Sequence, residues 1–202
     1  MILAAGLGTR LGSLTERTPK AMVPVRGRPL IEHVMERLVA AGAKRIVVNT
    51  SRHGEQICAW LERAAAPGVE IALSPEPDGP YETGGGFVAA ARSGLFRGDG
   101  PIVLHAVDVL SRIPLGELVA GHRKARARQG DRLVATLAVQ KRPSRRRLLF
   151  DDLGLLGWEA RMAGGAVERA RRVLAPFRHC LASDCLDECG GESAGLMVLG
   201  GH

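Results

Sequence analysis

At 202 residues, 46% hydrophobic and 24% charged, the chain is long enough for one domain with a real core, and its composition excludes both a disordered chain and a membrane-spanning one. A formal net charge of +7 favours acidic partners, nucleotides and nucleic acids among them. Aromatic residues are only 3% of the chain, which leaves little to stack bases on and argues against a nucleic-acid binder.

The elements alternate from the start. Ile2–Ala4 reads as a strand that runs into a glycine-rich basic loop, Gly6-Leu7-Gly8-Thr9-Arg10-Leu11. Pro29–Ala41 is predicted as a helix, with apolar Leu30, Ile31, Val34 and Leu38 at helical spacing and Gly42 as its stop. Arg45–Asn49 is a buried strand, Gly54–Ala66 an amphipathic helix closed by Pro67-Gly68, and Val69–Leu73 a third strand. The segment from Ser74 to Pro80 reads as loop. A helix over Gly85–Ser93 follows, then a strand over Pro101–Val107, a helix with a basic outer end over Pro114–Gln129, and a strand over Leu133–Gln140. Leu148–Phe150 and Leu155–Trp158 flank a hairpin turn at Asp151–Gly154. Residues 161–192 are Arg-rich and without period, and a short strand over Leu196–Leu199 closes the chain. Strands alternating with helices predict an α/β fold with a doubly wound, mostly parallel sheet.

Ligands of such sheets bind outside the carboxyl ends of the strands, and three features fall there. The first is the opening loop with Lys20. Its glycines let backbone N–H groups approach an anion, Thr9 adds a hydroxyl, and Arg10 and Lys20 add positive charge. It is neither the dinucleotide fingerprint nor a Walker loop, and a tight turn with solvated cations uses the same residues. The second is Glu82-Thr83-Gly84-Gly85-Gly86, at a helix start, where glycines can meet a flat ligand edge such as a base; a linker is the alternative. The third is Asp108, a carboxylate closing an apolar strand, suited to Mg²⁺ or to capping the next segment. Cys180, Cys185 and Cys189 beside His179 lack the paired spacing of zinc sites and read as ordinary thiols, and Cys58 reads as core. His105 reads as an interior histidine, and Trp60 and Trp158 as packing.

Together these residues resemble the sugar-phosphate nucleotidyltransferases. The family pattern Leu-Ala-Ala-Gly-x-Gly-Thr-Arg-Leu stands here as Leu3 to Leu11, followed by Pro19-Lys20 and by Pro24-Val25-Arg26-Gly27-Arg28-Pro29-Leu30-Ile31. The Glu82–Gly86 run looks like the N-acetylmuramate-1-phosphate uridylyltransferase branch, with mannose-1-phosphate guanylyltransferase-like proteins as relatives. His105-Ala106-Val107-Asp108, Arg147–Asp152 and Gly157-Trp158 are similar to the same branch.

The resemblance implies a Rossmann-like nucleotide-diphospho-sugar transferase fold, one domain over 1–202 with an NTP-binding half at 1–110 and a partial sugar-phosphate half at 111–202. It implies transfer of a nucleotidyl group from an NTP, UTP by the form of the glycine run, to a sugar 1-phosphate. Ala4, Gly6, Gly8, Thr9 and Arg10 would hold the nucleotide, Glu82 and Gly85 would read its base, Arg10 and Lys20 would neutralise phosphate charge, and Asp108 would hold Mg²⁺. Asn49 and Gln56 are second-line candidates. No nucleic acid and no membrane are expected as partners. The start of the chain carries no signal-peptide pattern, so a cytoplasmic location is expected.

Three departures from the family stand out. Ala106 replaces Asn. Ser51-Arg52 replaces aromatic or histidine residues. The chain reaches His202 before a Trp-x-Asp-x-Gly segment that carries the second metal carboxylate, and none of Asp184, Asp187 or Glu192 stands in a matching motif. A truncated or catalytically impaired nucleotide-binding relative is therefore the alternative expectation.

Overall fold

The computed structural model describes residues 1–64, 67–139, 146–151, 154–161, 167–171, 178–181 and 196–199. They divide into two compact units, Met1–Gly98 with Leu104–Gly116, and Asp99–Val103 with Glu117–His202.

In the first unit, β1 (Ile2–Leu3) runs parallel to β4 (Arg45–Thr50) on one side and to β6 (Ile102–Ala106) on the other, and β5 (Glu70–Pro75) runs parallel to β4. The register aligns Leu3 with Asn49 and Ala106, and Asn49 with Ser74, so the carboxyl ends of all four strands share one row. Between β1 and the first long helix the chain makes a tight hairpin, β2 (Pro24–Val25) against β3 (Arg28–Pro29). Its two central residues, Arg26 and Gly27, both take positive φ, the turn whose twist suits a two-residue hairpin. The reading of the sequence missed this hairpin and began the helix one residue early: α1 spans Leu30–Ala40, with Pro29 as its extended cap.

The core of this unit follows from the spacing. Ile31, Val34 and Leu38 of α1, Ile57 and Leu61 of α2 (Gly54–Ala64), and Ile2, Ile46, Val48 and Leu104 of the strands are all buried. Cys58, expected in the core, is half-buried. β5 runs two residues further than expected, to Pro75. α3 spans Glu82–Arg92 and packs on β4 and β5. It therefore takes Glu82, Thr83 and Gly84 into its first turn, where a start at Gly85 was expected, because glycine's low helix propensity hides the true beginning.

In the second unit, α4 (Leu115–Gln129) buries Leu118 and His122, one turn apart, and leaves its Arg- and Lys-rich face outside. Arg126 near its C-terminus donates to the Leu133 carbonyl at 2.8 Å and to Asp131 at 2.9 Å, cations being favourable at that end of a helix. β7 (Leu133–Ala138) carries Thr136, whose hydroxyl shares a buried hydrogen bond of 2.9 Å with His122 Nδ1. The expected hairpin is present and longer: β8 (Arg146–Asp151) pairs antiparallel with β9 (Gly154–Arg161), with Leu148 opposite Trp158, and β10 (Val167–Arg171) continues the meander. β11 (Arg178–Leu181) runs parallel to β7, and β12 (Leu196–Leu199) antiparallel to it. β10 and β11 lie in the stretch the sequence left unassigned, because neither Val167–Arg171 nor Arg178–Leu181 shows the apolar alternation by which strands are read. Cys185, Cys189, Asp184, Asp187 and Glu192 lie outside the described residues. No helix among the described residues is long and apolar enough to cross a membrane.

Candidate active site

The opening loop leaves β1 at its carboxyl end and turns back over the row of strand ends. Residues Thr9–Thr15 form two short 3₁₀ turns joined at Gly12, which has φ 55° and ψ −131°, a conformation essentially confined to glycine. Gly8 has φ 67° and lies so close to the next segment that a Cβ there would sit 2.8 Å from Thr15 Cγ2 and 3.3 Å from Lys20 Cβ. Thr15, buried beneath the loop, donates to the carbonyls of Gly8 at 3.0 Å and Gly12 at 3.2 Å. The loop is therefore folded on itself, while Gly6, Thr9 and Arg10 remain exposed. A Cβ at Gly6 would meet nothing within 4 Å.

Lys20 begins the short turn that follows and is mostly buried. Its ammonium donates to Asp108 Oδ2, a carboxylate about two-fifths exposed. Asp108 lies two residues beyond the end of β6, so it stands outside the apolar strand it was expected to close. Val107 anchors that departure by donating its N–H to the Leu3 carbonyl at 3.1 Å. Lys20 and Asp108, 88 residues apart in sequence, thus meet at the loop. Among the described residues no three His, Cys, Asp or Glu side chains cluster as a metal site. Asp108 offers one carboxylate, which suits an ion that completes its shell with substrate phosphates and water.

Asn49, a second-line candidate in the sequence, is the buried organiser of the site. Its Oδ1 accepts the N–H groups of Ala4 at 2.6 Å and Ala5 at 3.3 Å, and its Nδ2 donates to Glu76 Oε1 at 2.8 Å. Glu76 is buried, and its Oε2 accepts the Tyr81 N–H at 2.7 Å. Sequence reasoning missed Glu76, because it stands between two prolines in a segment with every mark of a surface turn. The next connection holds both ends of the loop. Ser51 donates to the Ala5 carbonyl at 2.5 Å, Arg52 and His53 donate to the Glu16 carbonyl at 3.2 and 3.0 Å, and Gln56 donates to the Arg17 carbonyl at 2.8 Å. Ser51-Arg52 therefore has a structural task here, and Gln56 binds backbone.

The glycine run lies at the start of α3. Glu82 is exposed with φ 59°, a strained value for a non-glycine residue. Gly84 and Gly85 are exposed, and a Cβ at Gly84 would meet nothing within 4 Å. Gly86 is buried, and a Cβ there would lie 2.6 Å from Glu76 Oε1 and 2.8 Å from Asn49 Nδ2. Gly84 thus leaves an open backbone surface, a Cβ at Gly85 would lie 2.9 Å from Tyr81 Cβ, and Gly86 admits the Asn49–Glu76 pair. His105, in β6, is fully buried. Its Nδ1–H donates to the Ala106 carbonyl at 2.8 Å. Burial, the largest influence, holds its pKa below the ordinary value.

The model of the family described as Nucleotidyl transferase matches residues 1–146. The N-acetylmuramate alpha-1-phosphate uridylyltransferase of Neisseria meningitidis is 44% identical over 113 residues, 56% of this chain and 48% of that protein. The mannose-1-phosphate guanylyltransferase of Mycobacterium tuberculosis is 36% identical over 127 residues, 63% of this chain and 34% of that protein. The matched part of this chain thus spans half or less of the length of these curated relatives. The crystal structure of HddC from Yersinia pseudotuberculosis superimposes with a TM-score of 0.66 at 20% identity, covering 98% of this chain and 75% of that one, and shows a shared fold.

Proposed function

The chain belongs to the nucleotidyl transferase family, and from that premise we propose that it joins an NTP to a sugar 1-phosphate, releasing pyrophosphate. A phosphate oxygen of the sugar attacks the α-phosphorus in line, and the bond from that phosphorus to the leaving pyrophosphate breaks. Such a reaction asks the protein for position and charge neutralisation more than for covalent chemistry.

The observation that carries the reading is Lys20 on Asp108 beside a folded glycine loop with an open backbone face. The backbone at Gly6, Gly8 and Thr9 would receive the triphosphate, with Arg10 balancing the pyrophosphate charge; Ala4, expected to share that task, is buried with its N–H on Asn49 and would hold the start of the loop instead. Lys20 would neutralise the α-phosphate or the incoming sugar phosphate. Asp108 would hold Mg²⁺, which supplies positive charge to the phosphates when bound. The exposed faces of Gly84 and Gly85, with Glu82, would read the base. Uracil is the favoured base, on the uridylyltransferase resemblance of the glycine run and on the higher identity to a uridylyltransferase than to a guanylyltransferase. A cytoplasmic site of action suits such substrates.

Pyrophosphate release from each of UTP, GTP, CTP, dTTP and ATP, with a panel of sugar 1-phosphates and Mg²⁺, tests the proposal. Release with UTP above the others is expected. Binding without release in any combination would reduce the reading to a nucleotide-binding chain, and absence of binding would overturn it.

A further inference from the structure

Glu76 and Asn49 are 2% and 3% exposed, and a carboxylate at such depth is costly unless its oxygens are met by donors. Both are met, and by groups from different elements. Oε1 takes Asn49 Nδ2 from the end of β4, and Oε2 takes the N–H of Tyr81, the residue before α3. Asn49 in turn holds the N–H groups of Ala4 and Ala5, where the opening loop leaves β1. One continuous line of hydrogen bonds therefore runs from the opening loop through two buried side chains to the first turn of the glycine helix. Gly86 lies against the middle of that line, with no room for a Cβ.

We propose that Glu76 is a positioning residue that acts through Asn49 to hold the opening loop and the start of α3 at a set spacing. In the nucleotide reading above, on which this inference rests, those two segments receive the phosphates and the base of one ligand. Glu76 touches neither. Its task is to keep the two half-sites in register, so that a nucleotide gains both sets of contacts without first ordering them.

The direction of each hydrogen bond makes the claim testable. Glu76→Gln sets an amide NH₂ against either the Asn49 amide or the Tyr81 N–H, donor facing donor. Asn49→Asp sets a carboxylate against a carboxylate. The double variant N49D/E76Q reverses the middle bond and satisfies every group. The introduced carboxylate accepts from Ala4, Ala5 and the introduced amide, whose oxygen takes the Tyr81 N–H.

Titration calorimetry of the 202-residue chain with UTP, GTP, CTP, dTTP and ATP in Mg²⁺, beside thermal unfolding and amide NMR spectra, decides the matter. Each single variant is expected to weaken nucleotide binding by about tenfold or more at temperatures where it is folded. The double variant is expected to recover to within about threefold of the parent, with the Ala4 and Tyr81 amide resonances restored. Single variants that melt earlier yet bind as the parent does would overturn the proposal, as would a double variant no better than the singles. Should the singles fail to fold, the double variant alone decides by the same measure. Absence of binding by the parent protein would overturn the functional reading and this inference with it, whereas every other adverse result overturns this inference alone.

Discussion

The glycines of this site divide into those that make room for protein and those that leave room for a ligand. A methyl at Gly86 must displace Glu76 or Asn49, and neither can yield, because both are buried and bonded. Gly86→Ala is therefore expected to destabilise the protein by about 1–3 kcal/mol, measured as a lower denaturant midpoint. Gly84 sits in the same helical turn with open space around it. Gly84→Ala should leave stability unchanged or raise it by about 0.5–1 kcal/mol, while weakening nucleotide binding by calorimetry. A stable Gly84→Ala variant that binds as the parent does would remove the base-reading role from this turn. Lys20 gives a separate test. Lys20→Met keeps the stem and removes the charge, and loss of one fixed charge at a reacting phosphate typically costs about 100-fold in turnover or more. Pyrophosphate release by the variant within threefold of the parent would assign Lys20 to holding Asp108 alone.

At the scale of elements, the connection from β4 to α2 is the frame of the opening loop. Ser51, Arg52, His53 and Gln56 each donate to a loop carbonyl, and the Asn49 that precedes them accepts two loop N–H groups. A loop pinned this way has less ordering left to do when an anion arrives. The Ser51→Ala/Gln56→Ala pair, which cuts one bond at each end, should shift global stability by less than about 1 kcal/mol and weaken nucleotide affinity severalfold. Calorimetry beside a melting curve separates the two effects, and equal affinity would sink the argument. What the sequence revealed here was local. Gly6, Gly8, Thr9, Arg10, Lys20 and Asp108 carry residue types whose chemistry is readable at their own positions, and α1, α2 and the β8–β9 hairpin carry clear periodicity. Glu76 was illegible because its burial depends on Asn49, 27 residues away, while its own neighbours Pro75 and Pro77 signal a surface turn. The true start of α3 was hidden by glycines that a helix tolerates only for the sake of close approach. β10 and β11 were hidden because neither alternates apolar with polar residues.

At the scale of the whole molecule, two buried histidines, one in each unit, contribute to the response to pH, beside the buried amino group of Met1, whose pKa burial lowers to about 5. His105 has its pKa lowered by burial first, an effect that Arg37 reinforces. His122 has its pKa lowered by burial and then by Arg126. In both cases the folded form holds its proton less tightly than an unfolded histidine, whose ordinary value is 6.5. The unfolded chain therefore binds more protons once the pH drops below that value, and stability rises with pH across the interval. The contribution is complete above about pH 7.5 and is lost as the pH falls through 6.5 and below, at no more than about 1.4 kcal/mol per pH unit for each histidine. Denaturant titrations from pH 8 to pH 5 should show the midpoint falling over this range. His122→Gln, which keeps a hydrogen-bonding group for Thr136, should flatten the loss in the second unit, and His105→Gln should flatten it in the first. Carboxylates held low by ion pairs, such as Glu70 beside Arg45, lose their contribution only below the ordinary carboxylate range, so they do not mask the interval. A midpoint independent of pH from 8 to 5, or one that rises on acidification, would mean that neither histidine is held neutral by the fold.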